Sequence, residues 1–167
     1  KPCADCRGSG RKEKKSTITL KVPAGVDTGT RLRRTGNGEA GLRGGSNGDL
    51  YVVLHIRTHE IFDRDEDNLI CDVPISFVTA ALGGELKVPT MTGSASIKIP
   101  PGTQTGTTFR LKGRGVKNLQ GYGTGDLNVK VTVEVPARLN KIQKEKLQEF
   151  VELCGDDVNP KSKNFFE

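Results

Sequence analysis

A stretch of 32 residues occurs twice in this chain, and that repeat limits the possible folds more than any other feature. "KVPAGVDTGTRLRRTGNGEAGLRGGSNGDLYV", residues 21–52, aligns without a gap on "KIPPGTQTGTTFRLKGRGVKNLQGYGTGDLNV", residues 98–129, at an offset of 77 (98 − 21); 15 of the 32 positions are identical. The identities gather at Pro23/Pro100, Gly25/Gly102, Gly29/Gly106, Gly36/Gly113, Gly38/Gly115, Gly48/Gly125 and Asp49/Asp126. Glycine and proline set backbone direction rather than fill a core, so the copies share turn geometry. Two copies one domain length apart imply tandem homologous modules.

Each copy has the same local pattern. Apolar residues alternate at Ile18, Leu20 and Val22, followed by a Pro-x-Gly turn, a short strand around Leu32, a long glycine loop and a strand through Leu50, Val52, Leu54 and Ile56. The second copy has Ile97 and Ile99, then Phe109 and Leu111, then Leu127, Val129, Val131, Val133 and Val135. A period of two predicts strands with one covered face. Between the copies lie a strand through Leu69, Cys71, Val73 and Ile75, a short helix in "SFVTAALGG" ended by Gly83 and Gly84, and a strand through Leu86 and Val88. By symmetry the first module lacks equivalent opening strands, which are expected before residue 1. The tail changes period: Leu139, Ile142, Leu147, Phe150, Val151 and Cys154 lie near one helical stripe, with Asn140 and Gln143 as a capping box and Gly155 as the stop. That stripe must be buried on its own module or on a partner chain; periodicity leaves both open.

Composition agrees with a strand-rich chain. Hydrophobic residues make up 34%, aromatic residues 5%, with no Trp and 21 Gly, a lean core joined by many turns. The expected fold class is mainly β, with two tandem β-sandwich-like modules, short helices and a C-terminal amphipathic helix. The net charge of +6 is local. Residues 1–34 hold ten Lys/Arg and three Asp/Glu, leaving 16 basic (26 − 10) against 17 acidic (20 − 3) residues elsewhere. Without a basic face along the domain or aromatic residues to stack on bases, no nucleic-acid platform is indicated. No apolar run approaches the roughly 20 residues a membrane helix needs. There is no signal-peptide pattern, and four scattered cysteines form no secreted disulfide framework; the expected compartment is cytoplasmic.

The motifs that carry chemistry elsewhere fail here on context. Gly36, Gly38 and Gly41 satisfy G-x-G-x-x-G, but more loop and a strand follow, not the helix that would meet a pyrophosphate. Asp63, Asp65 and Asp67 begin like a calcium loop, yet its sixth position is Asn68 and its twelfth Pro74. His55 and His59 have no ligand partners at matching spacing, and no Ser or Cys has a recognisable base. The expectation is a binding protein and not an enzyme. Cys3 and Cys6, followed by Gly8 and Gly10, make one C-x-x-C turn, half of a four-ligand zinc site.

The order "CADCRGSG", "VPAGVDTGTRLRRTGNGEAGLRGGSNGDLYV" with "HEIFDRDEDNL", "ISFVTAALGGELKVPT" and "IPPGTQTGTTFRLKGRGV…GDLNVKVTVEVP" resembles the C-terminal half of the DnaJ chaperone family from residue 3 to about 154. In that family a J-domain, a Gly/Phe linker and four C-x-x-C-x-G-x-G repeats binding two zinc ions precede two β modules and a dimerising helix. The J-domain, its His-Pro-Asp motif and three of the cysteine repeats are absent from this sequence. The resemblance implies a co-chaperone segment that binds unfolded polypeptide and delivers it to a DnaK-type ATPase.

It further implies that Cys3 and Cys6 are zinc ligands whose two companions lie outside this chain, so the segment alone holds no stoichiometric zinc. It implies client binding at Ile18, Leu20 and Val52, positions for which alternation alone fits ordinary core equally well. It implies homodimerisation through Leu139, Ile142, Leu147, Phe150 and Val151. The corresponding division is 1–10 remnant of the cysteine-rich domain, 11–60 end of the first module, 61–137 second module, 138–154 dimerisation helix and 155–167 tail. Two other readings remain: a thiol-disulfide oxidoreductase at Cys3 and Cys6, weakened by the lack of a surrounding βαβ unit, and a dimerisation module without a client site.

Overall fold

A computed structural model of the chain describes residues 14–41, 44–121 and 123–155. In chain order the elements are β1 (Arg31–Arg34), β2 (Leu50–Val53), β3 (Asp63–Asp65), β4 (Asn68–Ser76), α1 (Phe77–Leu82), β5 (Gly84–Thr90), β6 (Gly93–Ile99), β7 (Thr108–Leu111), β8 (Leu127–Glu134) and α2 (Lys141–Cys154). They form a two-stranded sheet β1-β2, a four-stranded sheet in the order β3-β4-β8-β7, and a two-stranded sheet β5-β6. Among the described residues the fold is mainly β, with two helices, as composition and period imply. Contacts divide the chain into one unit of residues 1–70 and 111–127 and another of residues 71–110 and 128–167.

The repeat is visible in hydrogen bonds as well as in letters. β1 and β7 fall at the same offset of 77 (108 − 31). In the first copy Gly29 N donates to Leu54 O at 2.8 Å and Leu54 N to Thr30 O at 2.9 Å; in the second, Gly106 N donates to Val131 O at 2.8 Å and Val131 N to Thr107 O at 2.9 Å. The glycine loop closes in the same way twice: Gly38 N to Gly48 O at 2.8 Å and Gly48 N to Glu39 O at 2.9 Å, then Gly115 N to Gly125 O and Gly125 N to Val116 O at those distances. The Gly-Asp pair is the clasp of each loop, since Asp49 accepts from Gly36 N at 3.1 Å and Asp126 from Gly113 N at 2.7 Å. Because the amides of Gly36 and Gly38 are engaged inside the loop, they are unavailable to cradle a phosphate, and the dinucleotide reading fails on geometry as well as context.

One expected strand does not form. Residues 14–23 carry no regular structure. Alternation survives only in burial, with Ile18 and Leu20 half-buried between exposed Thr17, Thr19 and Lys21. A strand exists through a neighbour's backbone, and no described residue supplies one there. Likewise β2 stops at Val53, before Leu54 and Ile56; beyond it the bonds pass to the Thr28 and Thr30 loop, including Ile56 N to Thr28 Oγ1 at 3.0 Å.

The fully buried side chains lie on the strands between and within the second copy. In the second unit these are Cys71, Val88, Ile99, Val129 and Val131, with Ile75, Ala80 and Ile97 nearly as enclosed. The β5-β6 hairpin has Val88 opposite Ala95 and Leu86 opposite Ile97, which keeps the larger apolar residues on one face. In the first unit Phe62, Leu69 and Leu127 are buried. Ser76 caps α1 by accepting from Thr79 N at 3.0 Å, and Gly83 at φ 77° ends it with N–H donating to Thr79 O.

Candidate functional site

The two copies differ most in how far they cover the same strand. On β8, Leu127, Val129 and Val131 are each 0% exposed. Their counterparts Leu50, Val52 and Leu54 are all half-buried. The reason lies in the sheets: β8 is bonded to β4 and β7, whereas β2 is bonded to β1 alone among the described residues. Val52 pairs with Leu32 in the antiparallel register of β1 and β2, and both are half-buried on the same face. The structure thus places Val52 on a partly covered strand, one edge of which no described residue pairs, and Ile18 and Leu20 half-buried on irregular backbone.

The other face of β2 carries Tyr51 and Val53, exposed at 58% and 46% and opposite Arg33 and Arg31. Reasoning from alternation missed them, although the unbroken apolar run "LYVVL" was a signal that both faces of this strand are apolar. Arg33 is held by Asp49, with Nη2 at 2.7 Å and Nε at 2.8 Å from Oδ2.

The second candidate surface is α2. Its capping box forms as the sequence predicts: Gln143 N donates to Asn140 Oδ1 at 2.8 Å and Asn140 N to Gln143 Oε1 at 2.9 Å. The helix buries none of its residues. Ile142 and Val151 are 69% and 67% exposed, with Leu147 and Phe150 also exposed, while Leu139 is half-buried just before the helix. Leu153, absent from the expected stripe, is exposed as well. Phe150 meets Phe77 of α1 edge-on, ring centroids 6.4 Å apart, a favourable aromatic geometry. Val78 and Leu82 of α1 also face solvent.

Chemistry-bearing side chains have structural partners. Asp67 accepts from Asn118 Nδ2 at 2.5 Å and its carbonyl from Val116 N at 2.8 Å; it ties a turn to a loop. His59 accepts from Ile61 N at 3.1 Å and packs on Phe62. Burial, and secondarily Asp72, raises the Cys71 thiol above its ordinary pKa, which makes it a poor nucleophile. Cys3 and Cys6 lie outside the described residues. Among the described residues no three His, Cys, Asp or Glu side chains gather as metal ligands, and no helix is long and apolar enough to cross a membrane.

Comparison with known proteins agrees with the resemblance. The family model "DnaJ C terminal domain" matches residues 6–136, and "Chaperone protein DnaJ C-terminal region" matches residues 143–167. The chain is 50% identical over 167 residues to a "Chaperone protein DnaJ" of Opitutus terrae, covering all of this chain and 44% of that protein. It is 49% identical to the protein of that name in Vesicomyosocius okutanii subsp. Calyptogena okutanii over 164 residues, 98% of this chain and 45% of the relative. With that of Ruthia magnifica subsp. Calyptogena magnifica it shares 51% over 181 aligned residues, all of this chain and 50% of the relative. The chain therefore spans about half the length of these curated relatives.

Proposed function

Because the chain belongs to the DnaJ family through its C-terminal domain, we propose that it is the part of a co-chaperone that holds unfolded polypeptide and presents it to a DnaK-type ATP-dependent chaperone. The observation that carries this reading is the half-covered apolar strand of the first repeat. The same positions that are sealed in β8 are accessible in β2, beside an edge that no described residue pairs. An extended client added at a sheet edge of this module gains main-chain hydrogen bonds regardless of its sequence, and an apolar depression selects its side chains. Ile18, Leu20 and Val52 contribute to that depression, completed by residues outside this chain. The work is binding; no bond is made or broken.

The remaining proposals follow from the same membership. The apolar face of α2 around Ile142, Leu147, Phe150 and Val151, with Leu139 before it, joins two copies into a homodimer. Cys3 and Cys6 supply two thiolates to a zinc ion whose other ligands come from another cysteine repeat. The setting is cytoplasmic. Metal analysis of the isolated 167-residue segment is expected to find less than stoichiometric zinc; one tightly bound zinc per chain would refute the half-site assignment.

The decisive experiment is suppression of aggregation of a chemically unfolded client by the native protein and by its Ile18→Ser, Val52→Ser variant. Loss of suppression is expected while thermal unfolding shows the variant still folded at the assay temperature. Unimpaired suppression sinks the client site and leaves a dimerisation module. Alkylation of Cys3 and Cys6 addresses the thiol-redox rival: client binding that vanishes while the fold persists would favour that rival.

A further inference from the structure

Arg64, on β3, is half-buried, and its guanidinium bonds to three main-chain carbonyls. Nη1 donates to Val26 O at 2.7 Å, Nη2 to Gly25 O at 3.1 Å and Nε to Glu66 O at 2.7 Å. The first two carbonyls belong to the Pro-x-Gly turn of the first repeat; the third belongs to the turn that joins β3 to β4. The same first-repeat turn abuts the second repeat's glycine loop. A Cβ on Gly25 would collide with Lys117 O and come within 3.1 Å of Leu119 N. The second repeat's loop is in turn fastened to the β3–β4 turn, since Asp67 O accepts from Val116 N at 2.8 Å and Asp126 N donates to Asn68 Oδ1 at 3.0 Å. All of these groups lie in the first of the two units.

This arrangement is no part of the geometry the repeats share. The second repeat holds its equivalent turn by other means, with Gly102 N and Thr103 N donating to Ala81 O and Ala80 O of α1 at 3.1 and 3.0 Å. One offset beyond Arg64 stands Lys141 (64 + 77), an exposed residue opening α2, 3.9 Å from Glu145. A cation that joins the first repeat's turn to the β3–β4 hairpin, bonded among the described residues to carbonyls, belongs to the junction itself. The requirement is specific to guanidinium, whose planar fork sends donors to three separate acceptors, whereas an ammonium concentrates its donors at one point.

We propose that Arg64 is a latch between the repeats, fixing the residue 24–26 turn of the first onto the β3–β4 hairpin and against the glycine loop of the second. The adjoining 27–30 turn keeps its own bonds, Thr30 N to Asp27 O and Asp27 N to Thr30 Oγ1, and its tie from Gly29 N to Leu54 O, whereas the 24–26 turn that leads into it is held by the Arg64 side chain. Hydrogen exchange read by mass spectrometry tests it on the full chain with R64A and R64K. In both variants the amides of residues 26–30 are expected to exchange about tenfold faster, as loss of charge-assisted bonds implies, while the β5-β6 hairpin keeps its wild-type rate. Unchanged exchange at residues 26–30, full retention of protection in R64K, or equal acceleration in β5-β6 would each overturn the latch. If R64A does not fold, R64K decides the matter alone, because lysine keeps the charge and an apolar stem while losing the fork.

Discussion

Gly25 and Gly29 share a left-handed backbone, φ 86° and 88°, but not a neighbourhood. A Cβ at Gly29 meets nothing within 4 Å, while one at Gly25 strikes the Lys117 carbonyl. Gly29→Ala should therefore cost about 1–2 kcal/mol from the backbone alone, and Gly25→Ala about 1–3 kcal/mol more from overpacking; urea midpoints of the two variants measure the difference. Both glycines read alike in sequence, and only the approach of a loop more than 90 residues away (117 − 25) separates them. Cys71 gives a second residue-level expectation. Its thiol is raised by burial, so the folded state favours the neutral form. The associated stability is complete below the unfolded thiol's pKa of about 8.5, and is lost as pH rises from there through the folded value. Denaturation midpoints should fall above that pH in the wild type and fall less in Cys71→Ala.

The β3–β4 hairpin is tight at some cost, for Glu66 sits at φ 53°, where a side chain costs about 1–2 kcal/mol. Its carbonyl is held by Arg64 and its neighbour Asp67 by Asn118, which explains why the turn persists with a poor turn residue. Glu66→Gly removes the strain and adds about 0.5–1 kcal/mol of chain entropy to lose, so a net stabilisation of up to about 1.5 kcal/mol is expected in thermal melts. The helix α2 poses the opposite case. It has a complete capping box yet no buried residue, and at 14 residues an isolated helix is marginal in water. Asn140→Ala should weaken it by about 1 kcal/mol, read as lost helicity by circular dichroism. If α2 gains its cover from a second copy, Ile142→Ser with Val151→Ser should weaken self-association more than about tenfold, given about 1.5–3 kcal/mol per apolar side chain buried, in sedimentation equilibrium.

Across the whole molecule, one sequence pattern appears in two packing environments. Val129 and Val52 occupy the same repeat position, but Val129 is sealed and Val52 half-buried. Val129→Ala should cost about 2–3 kcal/mol and Val52→Ala less than half of that, by chemical denaturation. The mainly β class, most of the strands, both helices and the caps of α2 were legible because period, glycine placement and cap chemistry are local and are written in consecutive residues. The strand through Ile18 and Leu20 was not, because alternation records which face is covered and says nothing of whether a neighbouring backbone exists to pair with. Tyr51 and Val53 escaped for the converse reason, since an apolar run does not say which face stays open. What the sequence determined by itself is the repeated turn-loop-strand unit, down to the carboxylate that clasps each loop. Tertiary structure alone decided which copy of that unit is sealed and which glycine is confined, as well as the capture of the first repeat's turn by Arg64. Those outcomes depend on atoms brought together from distant parts of the chain, and no local pattern encodes their approach.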